Sequence, residues 1–167
     1  MAEFHNYRIK AWWTSGRTGI ANCDSAPNAL HFTAPPQFGG LEGRWTPEDL
    51  LLTAVGGCFA TTFRALADYS KLSYKDLEVE VTGTVQKAAS GYSFKEIATR
   101  PHLALDREED QRNALNLLHK AQELCLIARS LLVKHTFEPS ILLSKGLESG
   151  TADAVDTIAP SPPNPMR

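Results

Sequence analysis

Between residues 5 and 33 apolar and polar side chains alternate in short runs. Tyr7, Ile9 and Ala11 interleave with Arg8, Lys10 and Trp12; a second run covers residues 20–23 and a third residues 29–33. Turn-forming residues separate them, Ser15-Gly16-Arg17-Thr18-Gly19 and then Asp24-Ser25-Ala26-Pro27-Asn28. The pattern predicts a β-meander of two or three strands. Residues 34–45 carry prolines and glycines without periodicity and read as a loop. The period then changes. From Leu50 to Ala67 the chain is apolar nearly all round, Arg64 being its one charge, which predicts a helix buried on most sides. Thr46 supplies a cap, Pro47 a first helical residue and Asp49 an acid three residues on. Glu48 and Asp49 also place negative charge at the positive end of the helix dipole.

Residues 77–85 alternate cleanly and predict a half-buried strand. Residues 87–93 read as a hairpin connection around Gly91. Residues 94–105 read as the return strand, with Pro101 pointing to an edge position or a bulge. Asp106 and Glu109 mark a second helix start. Along that helix Leu117, Ala121, Leu124, Ala128 and Leu131 share one spacing, and Leu118, Cys125 and Leu132 another. Lys134 and His135 suit its end, and residues 137–144 make a last strand. Residues 146–167, rich in proline and serine, read as a loose tail. The order of elements predicts an α+β fold with mostly antiparallel sheet, one domain over residues 1–146 and a tail over 147–167.

Composition narrows the function classes. The 167 residues carry a net charge of −2, which gives no electrostatic case for nucleic acid or a membrane surface. The helix at 50–67 comes nearest to a bilayer span, but Thr53, Gly56, Gly57, Thr61, Thr62 and Arg64 interrupt it. The first ten residues hold no apolar signal region, so a cytoplasmic protein is expected. Three cysteines are too few for a secreted disulfide framework. None lies in a CxxC pair or at metal-ligand spacing from a histidine, so no zinc is expected.

Two of those thiols, Cys58 and Cys125, fall on the apolar faces of the two helices, where a cysteine is most often a small buried hydrophobe. Cys58 sits mid-helix, away from the activating end of its own dipole, and burial raises a thiol pKa; reactivity there requires a cationic neighbour. Gly56 and Gly57 precede it. Each glycine inside a helix costs about 1 kcal/mol against alanine, and the pair suits close approach of another backbone or a ligand. Cys23 has no assigned partner and reads as structural. Trp12, Trp13, Phe32, Phe38 and Trp45 suit a core, a dimer contact or an apolar pocket.

The stretch TPEDLLLTAVGGCFA around Cys58 resembles the Pro-Glu-x-Leu start and first cysteine of the OsmC/Ohr family, the osmotically inducible and organic hydroperoxide resistance proteins. The turn Ser15-Gly16-Arg17-Thr18-Gly19 is similar to the Gly-Arg turn between that family's first strands. KAQELC at 120–125 is similar to the helix carrying its second cysteine. The order of elements over roughly residues 5–145 also fits. One position departs: the family usually has proline after the second cysteine, and this chain has Leu126, so the helix is expected to run on through Cys125. The resemblance implies sheets wrapped around two long central helices in an intertwined homodimer. It also implies reduction of organic hydroperoxides, with Cys58 as the attacking thiol, Cys125 as the resolving thiol, Arg17 holding the thiolate and Glu48 holding the arginine. No bound cofactor is implied; the reductant would be an external dithiol, lipoyl-type or protein-borne.

Elementary chemistry agrees with those roles. A guanidinium favours thiolate and offers donors to a departing oxygen, a carboxylate fixes the guanidinium, and a second thiol condenses a sulfenic acid to a disulfide. That last step needs Cα atoms within about 7 Å. Glu48 and Cys58, ten residues apart on one helix, are separated by about 15 Å along its axis. A site using both therefore needs a bridging group or a second subunit, and a dimer-interface site is expected. The rival readings are an OsmC-like protein binding a hydrophobic small molecule without efficient turnover, and an interaction module with filler cysteines.

Overall fold

The computed structural model describes residues 3–143; the expected tail lies outside them. The first helix, α1 (Pro47–Ser70), begins as its sequence predicts. The Asp49 N–H donates to Thr46 Oγ1 at 3.2 Å and the Thr46 N–H to Asp49 Oδ2 at 2.9 Å, a reciprocal box that satisfies two end donors. At the far end Lys71 turns left-handed at φ 56 and closes the helix. Val55, Phe59, Phe63 and Ala67 recur every four residues and are fully buried.

Burial on most sides is not what a single chain achieves. Thr53, Ala54, Gly57, Thr61 and Ala65 remain exposed. The reason is that α1 rests on one layer of its own chain, β4 (Asp76–Ala88) and α2 (Gln111–Leu124), and among the described residues nothing covers its other face. Nor do the interruptions between 50 and 67 disqualify α1 by length and composition: its 24 residues reach a mean hydropathy of 1.5 over an 18-residue window. Its Phe59 and Phe63 nonetheless belong to a protein core shared with α2 and the second sheet.

The second sheet begins with β4 (Asp76–Ala88) and β5 (Gly91–Leu105), which pair antiparallel from Asp76↔Ala104 to Ala88↔Gly91. β5 is the centre of this sheet, flanked on its other side by β6 (Lys134–Phe137) and β7 (Ser140–Leu143), both parallel to it. Its Ile97, Thr99, Pro101, Leu103 and Leu105 are buried. Pro101 therefore lies in a central strand, not at an edge, and the ladder irregularity is at Thr84/Val85 instead. It is tolerated because the neighbouring side changes strand there: Thr99 pairs with Phe137 and His102 with Ser140, so a missing N–H interrupts no ladder on that side. The last strand expected at 137–144 is thus two short ones, split at Glu138-Pro139.

The second helix departs furthest from its sequence pattern. Asp106 is not its cap but pairs with Lys75 at 2.8 Å. A 3-10 turn over Glu108–Asp110 leads into α2 (Gln111–Leu124), which stops at Cys125; a short α3 (Leu126–Ser130) follows. Lys134 and His135, expected at the helix end, lie in β6. Leu117, Leu118, Ala121, Cys125 and Ala128 face the core, while Leu124, the last residue of α2, and Leu132, beyond the end of α3, are exposed.

The first sheet is β1 (Ile9–Trp13), β2 (Gly19–Cys23) and β3 (Ala26–Phe32), all antiparallel. Its second turn is shorter than expected, and Pro27 enters β3, an edge strand where it removes no needed donor. The sheet makes no extensive contact with the helices of its own chain. All of β1 is exposed, with Ile9 and Trp13 more than half so. The chain is therefore α+β, antiparallel except around β5, with one face of α1 and the first sheet left uncovered by the described residues.

Candidate thiol site

α1 and the α2–α3 break bring Cys58 and Cys125 together. Cys58 is half-buried and Cys125 fully buried; both are free thiols. The break has a local form: Cys125 adopts φ −60, ψ 107, extended at ψ, and the helix restarts at Leu126. The opening N–H groups of a helix have no carbonyl one turn back to bond. Those of Leu126 and Ile127 face the Cys58 sulfur and favour its thiolate. The sequence offered no sign of this: Leu126 and Ile127 are ordinary helix interior residues, and the donors are main-chain groups. A feature that the mid-helix position of Cys58 argued against, activation by a helix start, is thus supplied by another helix.

Opposed effects set the balance at the two sulfurs. Burial works to raise the Cys58 pKa, but the Ile127 N–H, the Cys125 thiol and the Leu126 N–H outweigh it and hold the group below the usual thiol range. Thr62 lies beside the sulfur too, though its hydroxyl proton is committed to the Cys58 carbonyl at 2.8 Å. Cys125 shifts the opposite way: burial pushes it up, and the neighbouring Cys58 pushes it further. The Cys125 thiol also points at the Val55 carbonyl, at 3.9 Å. So long a contact leaves its proton free to turn to Cys58 when that sulfur ionises. The two neighbouring thiols thus shift in opposite directions, Cys58 toward thiolate and Cys125 toward thiol.

Arg17 and Glu48 do not join this pair within one chain. Arg17 is exposed in the β1–β2 turn, and its Nη1 donates to the Gly39 carbonyl. Glu48 stands in the first turn of α1; its Oε2 is buried with no partner, and it makes no ion pair among the described residues. Glu48 opens on a cavity of about 330 Å³ lined by Phe38, Val85, Tyr92 and Phe94. A second cavity, about 390 Å³, runs over Gly56 and Gly57 between Trp45, Leu52, Val79 and Val81. The two glycines act differently. A Cβ on Gly56 would meet Val81 at 3.1 Å, so its bareness serves packing on β4, whereas a Cβ on Gly57 would meet nothing. Cys23 accompanies no other thiol; its pKa is lowered chiefly by Ser25, whose hydroxyl lies 3.4 Å from the sulfur.

Comparison with known proteins places this architecture. The family model described as OsmC-like protein matches residues 40–139. YmaD of Bacillus subtilis, an uncharacterised protein, is 28% identical over 134 residues, covering 78% of this chain and 89% of its own. An OsmC-like protein of unknown function from Vibrio cholerae superposes with a TM-score of 0.73 at 17% identity, over 82% of this chain and all of its own. An organic hydroperoxide resistance protein OsmC from Legionella pneumophila gives 0.66 at 22% identity, over 84% and 98%. OhrB of Bacillus subtilis, an organic hydroperoxide resistance protein, gives 0.60 at 19% identity, over 81% and 98%. With the family model spanning more than half its length and this fold around the paired thiols, the chain belongs to the OsmC-like protein family.

Proposed function

We propose that the protein is a thiol-dependent peroxidase for organic hydroperoxides, acting as a homodimer. The observation that carries the reading is the pairing of a thiol held below its usual pKa, Cys58, with one held above it, Cys125. The Cys58 thiolate attacks one peroxide oxygen; the S–O bond forms as the O–O bond breaks, and the alkoxide leaves and takes a proton. Cys58 is then a sulfenic acid. The Cys125 sulfur attacks it, the disulfide forms and water leaves. A dithiol, small or carried on a protein, returns both thiols by exchange and is itself oxidised to its disulfide.

What one chain leaves undone supports the homodimer. Among the described residues, the open face of α1, the bare surface at Gly57 and the first sheet all lack a covering layer. Arg17, on that sheet, has no contact with its own Cys58, and a second subunit is the source of one. There its guanidinium would hold the thiolate and donate to the leaving oxygen, with Glu48 orienting it. Two relatives in structure carry hydroperoxide resistance in their names, which supports the substrate class.

The cavity of about 390 Å³ over Gly56 and Gly57, walled in part by Trp45, Leu52, Val79 and Val81, favours one second reading, a hydrophobic small-molecule binder without efficient turnover. Treating the reduced protein with one equivalent of tert-butyl hydroperoxide and counting free thiols separates the two. Loss of two thiols, abolished by Cys58→Ser, is expected; an unchanged count leaves binding alone.

A further inference from the structure

We propose that Thr33 is a positioning residue for Arg17, an inference that rests on Arg17 serving the Cys58 thiolate. Thr33 follows β3 and is fully buried, one of few polar residues so placed. Its hydroxyl does two things at once. It donates to the Arg17 carbonyl at 2.7 Å and accepts the Leu41 N–H at 3.2 Å. Two residues before Leu41, the Gly39 carbonyl accepts from the Arg17 guanidinium. The connections close a ring: Arg17 main chain, Thr33 hydroxyl, Leu41, Gly39, Arg17 side chain. One loop thus grips the arginine at both ends, and the Thr33 oxygen is the joint between that loop and the turn bearing Arg17.

The loop is itself stiff. Gly39 and Gly40 donate to the Pro36 and Pro35 carbonyls at 2.9 and 3.1 Å, and Gly40 lies so close to Ala34 that a Cβ there would fall 1.5 Å from its carbonyl oxygen. The Thr33 N–H donates to the Trp45 carbonyl at 2.9 Å, which ties the end of the loop, next to the cap of α1, to the same residue. A guanidinium that must meet a sulfur outside its own chain gains from this stiffness, because its orientation is set before the two meet. Only a residue that donates and accepts from one buried atom can make the joint, which restricts the position to threonine or serine.

Thr33→Val keeps the shape and removes both hydrogen bonds. It is expected to slow the reaction of Cys58 with tert-butyl hydroperoxide on the order of tenfold and to move the Cys58 thiolate titration upward. Thr33→Ser is expected to restore both. Thr33→Ala, which leaves room for water, is the second hydroxyl-free variant should the valine protein fail to fold. In an Arg17→Ala background neither hydroxyl-free change is expected to slow the reaction further. Hydroxyl-free variants reacting at the original rate, a serine variant as slow as they are, or additional slowing without the arginine would each overturn the assignment. If Arg17→Ala alone reacts at the original rate, the role of Arg17 fails instead, and the two failures are told apart.

Discussion

Leu126→Pro tests the source of the Cys58 shift. The break at Cys125 already has the backbone that a following proline demands: φ −60 and ψ 107 at Cys125 lie outside the helical region. Leu126 is the first residue of α3 and largely exposed, a position where proline is accommodated. The substitution therefore keeps the fold, and restricting the unfolded chain, by about 0.4–1 kcal/mol, offsets the hydrogen bond it removes. It also deletes the Leu126 N–H, one of the groups that favour the Cys58 thiolate, while the Ile127 N–H remains. A hydrogen bond to a charged group in a half-exposed place contributes about 1 kcal/mol. Its loss raises the Cys58 pKa, and about 1 kcal/mol corresponds to about a fivefold shift of the thiol–thiolate equilibrium toward thiol. Ultraviolet thiolate absorbance against pH reads the shift, in a Cys23→Ser background because the Cys23 pKa is lowered as well. A proline variant whose Cys58 titrates as before would refute the assignment of α3 as the activating element. A variant destabilised by about 3 kcal/mol or more would mean the helix is continuous there.

Other outcomes follow from the same packing. Phe59→Ala removes a fully buried ring tilted against Phe137 with centroids 5.7 Å apart and is expected to cost about 3–5 kcal/mol in urea unfolding; a cost under about 1 kcal/mol would contradict the core as described. A Cβ at Gly57 meets nothing within 4 Å among the described residues, so for Gly57→Phe circular dichroism should be unchanged while light scattering reports monomer; a persistent dimer would place the interface elsewhere. His135 has both ring nitrogens buried without partners among the described residues, and burial lowers its pKa. The folded state thus binds its proton more weakly than the unfolded state. Stability is complete above the unfolded value near 6.5 and is lost as pH falls from there through the lower folded value. His135→Leu should flatten that loss between pH 7 and 5 in urea titrations, and an unchanged slope would assign the acid loss to other groups.

The parts of the fold legible in the sequence were those with strong local signals. Thr46, Pro47 and Asp49 fixed where α1 begins, and the alternation at 77–85 fixed a strand. The break at Cys125 was illegible because Leu126 and Ile127 favour helix in any local view; tertiary packing decides the conformation there. Pro101 misled for a related reason. A proline signals an edge only if both sides of its strand are continuously paired, and the change from β6 to β7 is invisible locally. The burial of α1 was overread because apolar sequence reports what a helix face can cover, not whether its own chain supplies the cover. In the site, the two cysteines were readable as residues, but the N–H groups that distinguish them belong to no side chain.

The account stands most directly on which sulfur joins which. Reduced protein is treated with one equivalent of tert-butyl hydroperoxide, blocked, digested and mapped by mass spectrometry. The expected product is a single intrachain Cys58–Cys125 disulfide with Cys23 still blocked as a free thiol. A bridge through Cys23, or Cys58 carried to the sulfinic acid with Cys125 still reduced, would contradict it.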